Sequence, residues 1–122
     1  FRNEGIISDR DRLARLYSEA DVFLDGSNFQ GFGRGGLEAM ACGTACVLTN
    51  VGGVREYAKH RENCLLVPPQ KPQKFAEAII ELLKHPNLRK NIVSQGLNII
   101  TNYSHKYEAQ KTLAYFQEIT WI

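Results

Sequence analysis

QGFGRGGLEAMACGT, residues 30–44, holds glycines at 31, 33, 35, 36 and 43, half of the ten in the chain. Four of them make a turn that runs into LEAMA, a stretch of good helix formers. A glycine turn that opens a helix leaves backbone N–H groups unpaired at the positive end of the helix dipole. Such a place holds an anion or a cluster of sugar hydroxyls. Glu38 stands one turn into this helix, eight residues after Gln30. A carboxylate there can accept two hydroxyls of a ribose, as acidic residues do at other nucleotide sites. The alternative is a helix carboxylate stabilised by the dipole, a gain of about 0.3–1 kcal/mol. Spacing alone leaves the two readings even.

Around this turn the chain alternates strands and helices. DVFLDGS (21–27), ACVLTN (45–50) and NCLLVPP (63–69) are short apolar runs bounded by turn residues, which reads as three strands. LEAMA, stopped by Gly43, lies between the first two, and VGGVREYAK (51–59) gives a glycine turn and one short helix. Nearly all-apolar strands separated by helices predict a parallel sheet covered on both faces. The glycine turn then falls at the carboxyl end of a strand, where open α/β sheets bind ligands.

Upstream, FRNEGII (1–7) is expected to hold the end of a short strand. Ser8 or Asp9 caps a helix to about Ala20, with Leu13, Leu16 and Tyr17 on its buried face. Asp9-Arg10-Asp11 has the shape of a DxD metal motif, but acidic residues opening a helix are the simpler reading. Downstream, Phe75, Ile79, Leu82 and Leu83 form an apolar stripe ended by His85-Pro86. Leu88, Ile92, Leu97 and Ile100 form a second, weakened by Gly96. Residues 105–120 form a third helix, with Leu113, Phe116 and Ile119 on one side. All three stripes read as core.

At 122 residues the chain is one domain's worth of polypeptide with room for a real core. A net charge of +2 with no Lys/Arg run gives no argument for nucleic acid. No apolar run approaches a membrane span, and no signal-peptide pattern is present. Cys42, Cys46 and Cys64, an odd number without CxxC spacing, read as reduced core thiols in a cytoplasmic protein. Since the first residue is Phe and an element begins close to it, the sequence is expected to be a piece of a longer protein.

Neither Ser27 nor the cysteines have a neighbouring His in sequence, and His60, His85 and His105 read as solvated surface residues. Glycines 31, 33 and 36 match GxGxxG, but the acid about 20 residues further on, Glu56, follows a glycine turn rather than a strand. The dinucleotide pattern is therefore incomplete, and a Walker A loop is excluded because no GK[ST] follows.

LYSEADVFLDGS, then QGFGRGGLEAMACGTACVLTNVGGVREY, NCLLVPPQ, KFAEAIIELLKHPNLRKNI and YSHKYEAQKTLAYFQEI follow one another along almost the whole chain. In this order they resemble the C-terminal nucleotide-sugar domain of family 4 glycosyltransferases, retaining enzymes of the two-domain GT-B fold. The resemblance implies an α/β fold: a Rossmann-like partial parallel sheet with flanking helices, the second half of that domain, followed by C-terminal helices. Residues 1–122 would form a single nucleotide-sugar-binding unit, with 104–122 a C-terminal helix able to cross to an N-terminal domain.

The family shows a Glu, seven residues and a second Glu, with GFG after the first and LEAMA around the second. Glu38 occupies the second position, which the resemblance assigns to the donor's ribose hydroxyls. Backbone amides of Gly31, Phe32 and Gly33 would contact the donor sugar, and the helix start through Arg34, Gly35, Gly36 and Leu37 would face the diphosphate. Gln30 and Glu38 are thus the candidate catalytic residues. Two departures stand out. Gln30 replaces the first Glu and carries no charge. Arg34 with Gly35-Gly36 replaces the usual link to LEA, and Arg34 either reaches a phosphate bidentately or stands exposed.

The implied donor is a UDP-, GDP- or dTDP-linked sugar, with no cofactor and no metal. The acceptor, a glycan or lipid-linked glycan, would bind through the N-terminal domain, with the intact protein cytoplasmic and peripheral at the inner face of the membrane. The variant motif is similar to branches that build bacterial surface polysaccharides, rhamnosyl transferases included. The piece alone is expected to transfer no sugar, and its truncated sheet to offer an edge for self-association. The rival is a non-catalytic sugar-nucleotide binding or assembly module, with Gln30 as its mark. A 2-epimerase of the same fold is a third reading.

Overall fold

The apolar run predicted as the second strand lies at the centre of the sheet in the computed structural model, which describes residues 2–118. Helix α1 (Arg10–Glu19) leads to β1 (Val22–Asp25), α2 (Arg34–Ala41) and β2 (Ala45–Thr49). A 3-10 helix at Gly52–Glu56 precedes β3 (Leu65–Val67), and α3 (Pro72–Lys84), α4 (Pro86–Ile100), a 3-10 turn at Thr101–Tyr103 and α5 (His105–Glu118) follow. The sheet is parallel in the order β1-β2-β3, with Val22 opposite Ala45 and Val47 opposite Leu65.

Every residue of β2 is buried, which is why its sequence shows no polar alternation. Its side chains divide between two cores. Cys46 and Leu48 pack with Leu37, Ala39, Met40 and Tyr57 on the α2 face. Ala45 and Val47 pack with Phe75, Ala78 and Leu82 on the α3 face. Helix α4 joins both, since Ile92 belongs to the second core while Ile99 and Ile100 lie against the first. Gly96 makes that crossing possible: a Cβ there would stand 3.3 Å from Met40 Cγ. The glycine expected to weaken α4 instead lets it approach α2.

Local signals place the helix ends. Asp9 caps α1 by accepting from the amides of Asp11 at 2.9 Å and Arg12 at 3.2 Å, so the DxD shape is a helix start. Proline occupies the first turn of α3 and of α4, where its missing N–H leaves nothing unpaired.

Several expectations are corrected. Leu83 and Leu97, read as core in the stripes of α3 and α4, are 48% and 45% exposed, at the edges of their buried faces. Residues 2–7 form no strand; Gly5 takes a φ of +64°, the Asn3 side chain bonds its amide, and no sheet partner reaches them. The α5 stripe is not core: Leu113 is 59% and Phe116 57% exposed, because α5 leaves the body of the domain after the 3-10 turn. Residues 119–122, including Ile119 and Trp121, lie outside the described residues. Cys46 and Cys64 are buried as read, whereas Cys42 is only half-buried.

Candidate functional site

The helix predicted to begin at LEAMA begins earlier, at Arg34, with Gly33 as its N-cap in the left-handed region (φ +79°). Arg34, Gly35 and Gly36 are therefore its first turn rather than loop. The segment from Gly26 to Gly33 joins the carboxyl end of β1 to that turn. No amide from Gly31 to Gly35 donates to a protein acceptor among the described residues, whereas Gly36 N–H donates to the Gly33 carbonyl at 3.2 Å. The expected row of open donors is present, at the positive end of α2.

The glycines of the motif divide by role. Gly31, Phe32 and Arg34 are exposed, whereas Gly35 is half-buried, and a Cβ on it would stand 3.2 Å from the Phe23 ring. Gly33 and Gly36 are buried, and each is small because another chain segment touches it. A Cβ on Gly33 would stand 2.6 Å from Val54 Cγ2, and one on Gly36 2.6 Å from the Tyr57 hydroxyl. Leu37, expected at the donor, is also a core residue.

The turn is held by the loop after β2. Gly53 N–H donates to the Gln30 carbonyl at 3.3 Å. A Cβ on Gly53 would overlap the Gly31 carbonyl oxygen and stand 2.7 Å from Phe32 Cα, so backbone packs directly on backbone there. Tyr57 closes the arrangement from below, donating its hydroxyl to the Gly33 carbonyl at 2.5 Å while its ring meets Phe32 edge-on at 5.7 Å. Burial pushes the Tyr57 phenol well above its ordinary value, with the nearby Cys46, Cys64 and Asp25 charges adding to the rise. Sequence reading missed Tyr57 and the contact of Gly52-Gly53 with the turn; the doubled glycine was the only signal available.

Glu38 points to the outer side of α2. It accepts from the Tyr17 hydroxyl at 3.2 Å and pairs with Arg34 at 3.7 Å, one helical turn away. With Arg34 71% and Glu38 41% exposed, that ion pair adds little stability. The Tyr17 phenol is pushed up to about 12, first by burial and then by the Glu38 charge. Tyr17 is itself fixed, since the Thr44 hydroxyl donates to its carbonyl at 2.5 Å. Phe32, Arg34, Leu37 and Glu38 line a groove of about 750 Å³ together with Tyr17 and Tyr103. Its other walls come from α1 and from the junction of α4 and α5, and the glycines of the turn stand beside it rather than in its lining.

Gln30 stands apart from this groove, at the tip of β1, where its Nε2 donates to Asp25 at 2.5 Å. Glu56 ends a 3-10 helix and is exposed, so the acid that a dinucleotide site places at a strand end is absent from that position. His60, His85 and His105 are exposed; His60 Nδ1 accepts from the Leu66 amide at 3.0 Å. Among the described residues no three His, Cys, Asp or Glu side chains gather as a metal-holding group, and no helix is long and apolar enough to cross a membrane.

Known proteins share the sequence pattern and the fold. The family model described as "Glycosyl transferases group 1" matches residues 5–98. An uncharacterized glycosyltransferase of Methanocaldococcus jannaschii is 36% identical over 104 residues, 84% of this chain and 27% of that protein. The C-terminal domain of a glycosyl transferase group 1 family protein from Francisella tularensis superposes with a TM-score of 0.75 at 31% identity, over 83% of this chain and 52% of that one. Anabaena HepE, solved in complex with UDP-glucose, superposes with a TM-score of 0.80 at 24% identity, over 86% of this chain and 29% of that one. The chain spans about a quarter of the length of the curated relatives it matches.

Proposed function

Because the chain belongs to the group 1 glycosyl transferases and carries the fold of their C-terminal, donor-binding domain, we propose that it binds a nucleotide-diphosphate sugar for a retaining transfer. The observation that carries the proposal is the row of unpaired amides from Gly31 to Gly35 at the N-terminus of α2, beside a groove that Arg34 and Glu38 line. The diphosphate sits at the start of α2, where amides and dipole act together. Arg34 is free to leave its weak pair with Glu38 for a phosphate oxygen, a bidentate and stronger partner. Glu38, released from Arg34 but still held by Tyr17, accepts the ribose hydroxyls. Gly31, Phe32 and Gly33, with Gln30 beyond them, meet the sugar. The acceptor is held elsewhere in the longer protein, a cell-surface polysaccharide being the proposed product, and residues 1–122 alone bind donor without transferring it.

Calorimetric titration of this chain with UDP-glucose, and with GDP- and dTDP-linked sugars, tests the proposal. One of them binds, and Glu38→Ala weakens it by roughly ten- to a hundredfold, the loss expected when a charged acceptor is removed. Binding that is indifferent to Glu38→Ala overturns the ribose assignment, and no binding to any of them overturns the site. Gln30 alone favours a second reading, a non-catalytic binding module, because the position lacks the family's charge. An intact protein that is inactive and is revived by Gln30→Glu would support that module.

A further inference from the structure

The carboxyl tip of β1 carries a carboxylate that gathers side chains of the loop after it. Asp25 is half-buried, and its two oxygens have separate partners. Oδ1 accepts from the Ser27 amide at 3.0 Å and the Ser27 hydroxyl at 2.6 Å. Oδ2 accepts from Gln30 Nε2 at 2.5 Å. Both residues are also anchored through their main chain: Thr49 donates its hydroxyl to the Asp25 carbonyl at 3.1 Å, and Gly53 donates its amide to the Gln30 carbonyl at 3.3 Å.

A carboxylate can only accept hydrogen bonds, so it dictates which way the Gln30 amide lies. The NH2 group turns toward Asp25, and Oε1 is left on the other side as an acceptor. A charge-assisted bond on one end of an amide polarises the other end, so Oε1 gains negative character. We infer that Asp25 is the positioning residue of Gln30, presenting Oε1 as an acceptor and keeping a negative charge one hydrogen bond behind it. The inference rests on the proposed reading of Gln30 as a contact of the donor sugar. Position 30 has then lost its charge to its neighbour rather than from the site.

This pairing predicts how the two positions respond to exchange. With Gln30→Glu alone, two carboxylates would meet at hydrogen-bond distance, which neither tolerates when both are ionised. With Asp25→Asn alone, two NH2 groups would meet, and the Gln30 amide turns over to present a donor instead of an acceptor. Making both changes restores a matched pair. The new amide at 25 keeps an oxygen for Ser27 and turns its NH2 to the new carboxylate at 30.

The experiment is a double-mutant cycle in the full-length protein, reading kcat and KM for sugar transfer, with thermal unfolding of each variant as the check on folding. Each single change lowers kcat/KM about ten- to a hundredfold, mainly through kcat, and the double change recovers to within about threefold of wild type. A fall in kcat at an unchanged unfolding temperature, reversed in the double variant, is a result that a merely structural role for Asp25 does not give. A wild type that transfers sugar while Asp25→Asn transfers it equally well overturns the inference alone. So does a double variant as impaired as the product of its single changes. A wild type that neither binds nor transfers any nucleotide-diphosphate sugar overturns the functional reading and the inference with it.

Discussion

Replacing Tyr57 by Phe isolates one hydrogen bond on which the shape of the glycine turn depends. The Tyr57 side chain is 3% exposed, and its hydroxyl donates to the Gly33 carbonyl at 2.5 Å. The ring is retained in the variant, so its edge contacts with Phe32 and with Tyr103, at centroid distances of 5.7 and 6.1 Å, survive and no large cavity opens. What is lost is the bond itself and part of the satisfaction of a buried carbonyl. An entirely orphaned buried acceptor costs about 1–3 kcal/mol. Here the Gly33 carbonyl still accepts from Gly36 N–H at 3.2 Å, so the cost falls in the lower part of that range. About 1–2 kcal/mol is expected, a fall in Tm of roughly 3–8 °C for a domain of this size.

Thermal unfolding followed by circular dichroism measures it, with Tyr103→Phe as the control. The Tyr103 hydroxyl donates to the Glu56 carbonyl at 2.9 Å in an exposed setting where water can take its place, so its loss costs less. Donor affinity should fall in the Tyr57 variant as well, because the N-cap that aims the open amides is loosened. A Tyr57→Phe protein no less stable than Tyr103→Phe would refute the claim that this hydroxyl holds the turn.

Gly53→Ala acts on the same contact from the other side: its methyl group meets the Gly31 carbonyl and Phe32 Cα, both backbone, so the turn must move. Donor binding in calorimetry should be lost while the circular dichroism spectrum keeps its helix and strand content; unchanged affinity would count against the docked turn. At alkaline pH, the raised phenols of Tyr17 (about 12, against an ordinary 10.0) and Tyr57, with the Cys64 thiol at about 12 against 9.0, stay protonated longer in the folded chain than in the unfolded one. Their contribution to stability is full below the unfolded values and is lost as pH rises toward 12, so Tm should decline from about pH 9 upward and Tyr57→Phe should flatten the decline. Finally, β1 pairs only with β2, which leaves one of its backbone edges without a strand partner among the described residues. Copies of this chain should associate through that edge at high concentration, and a monomer by light scattering at millimolar concentration would contradict this.

How the sequence and the tertiary structure share the specification is clearest at particular residues. ACVLT reads as a buried parallel strand because a strand covered on both faces has apolar residues at every position. Asp9, Pro72 and Pro86 mark helix starts because capping and the missing proline N–H act within one turn of chain. The open amides of the glycine turn and the place of Glu38 on the helix were legible for the same reason: both follow from local backbone geometry.

Contacts between distant segments were not legible. Tyr57 reaches Gly33 across 24 residues and Tyr17 reaches Glu38 across 21, and no periodicity encodes which loop will lie against which. The α5 stripe shows the same limit, since amphipathic spacing tells which face is apolar and not whether anything covers it. Gln30 joins the two cases. By itself the sequence determined that position 30 carries no charge, because that depends on covalent identity alone. Only the tertiary structure decided that a carboxylate from the end of β1 stands against it, because that depends on how the β1 tip, Ser27 and the Gly53 amide fold the loop back on itself.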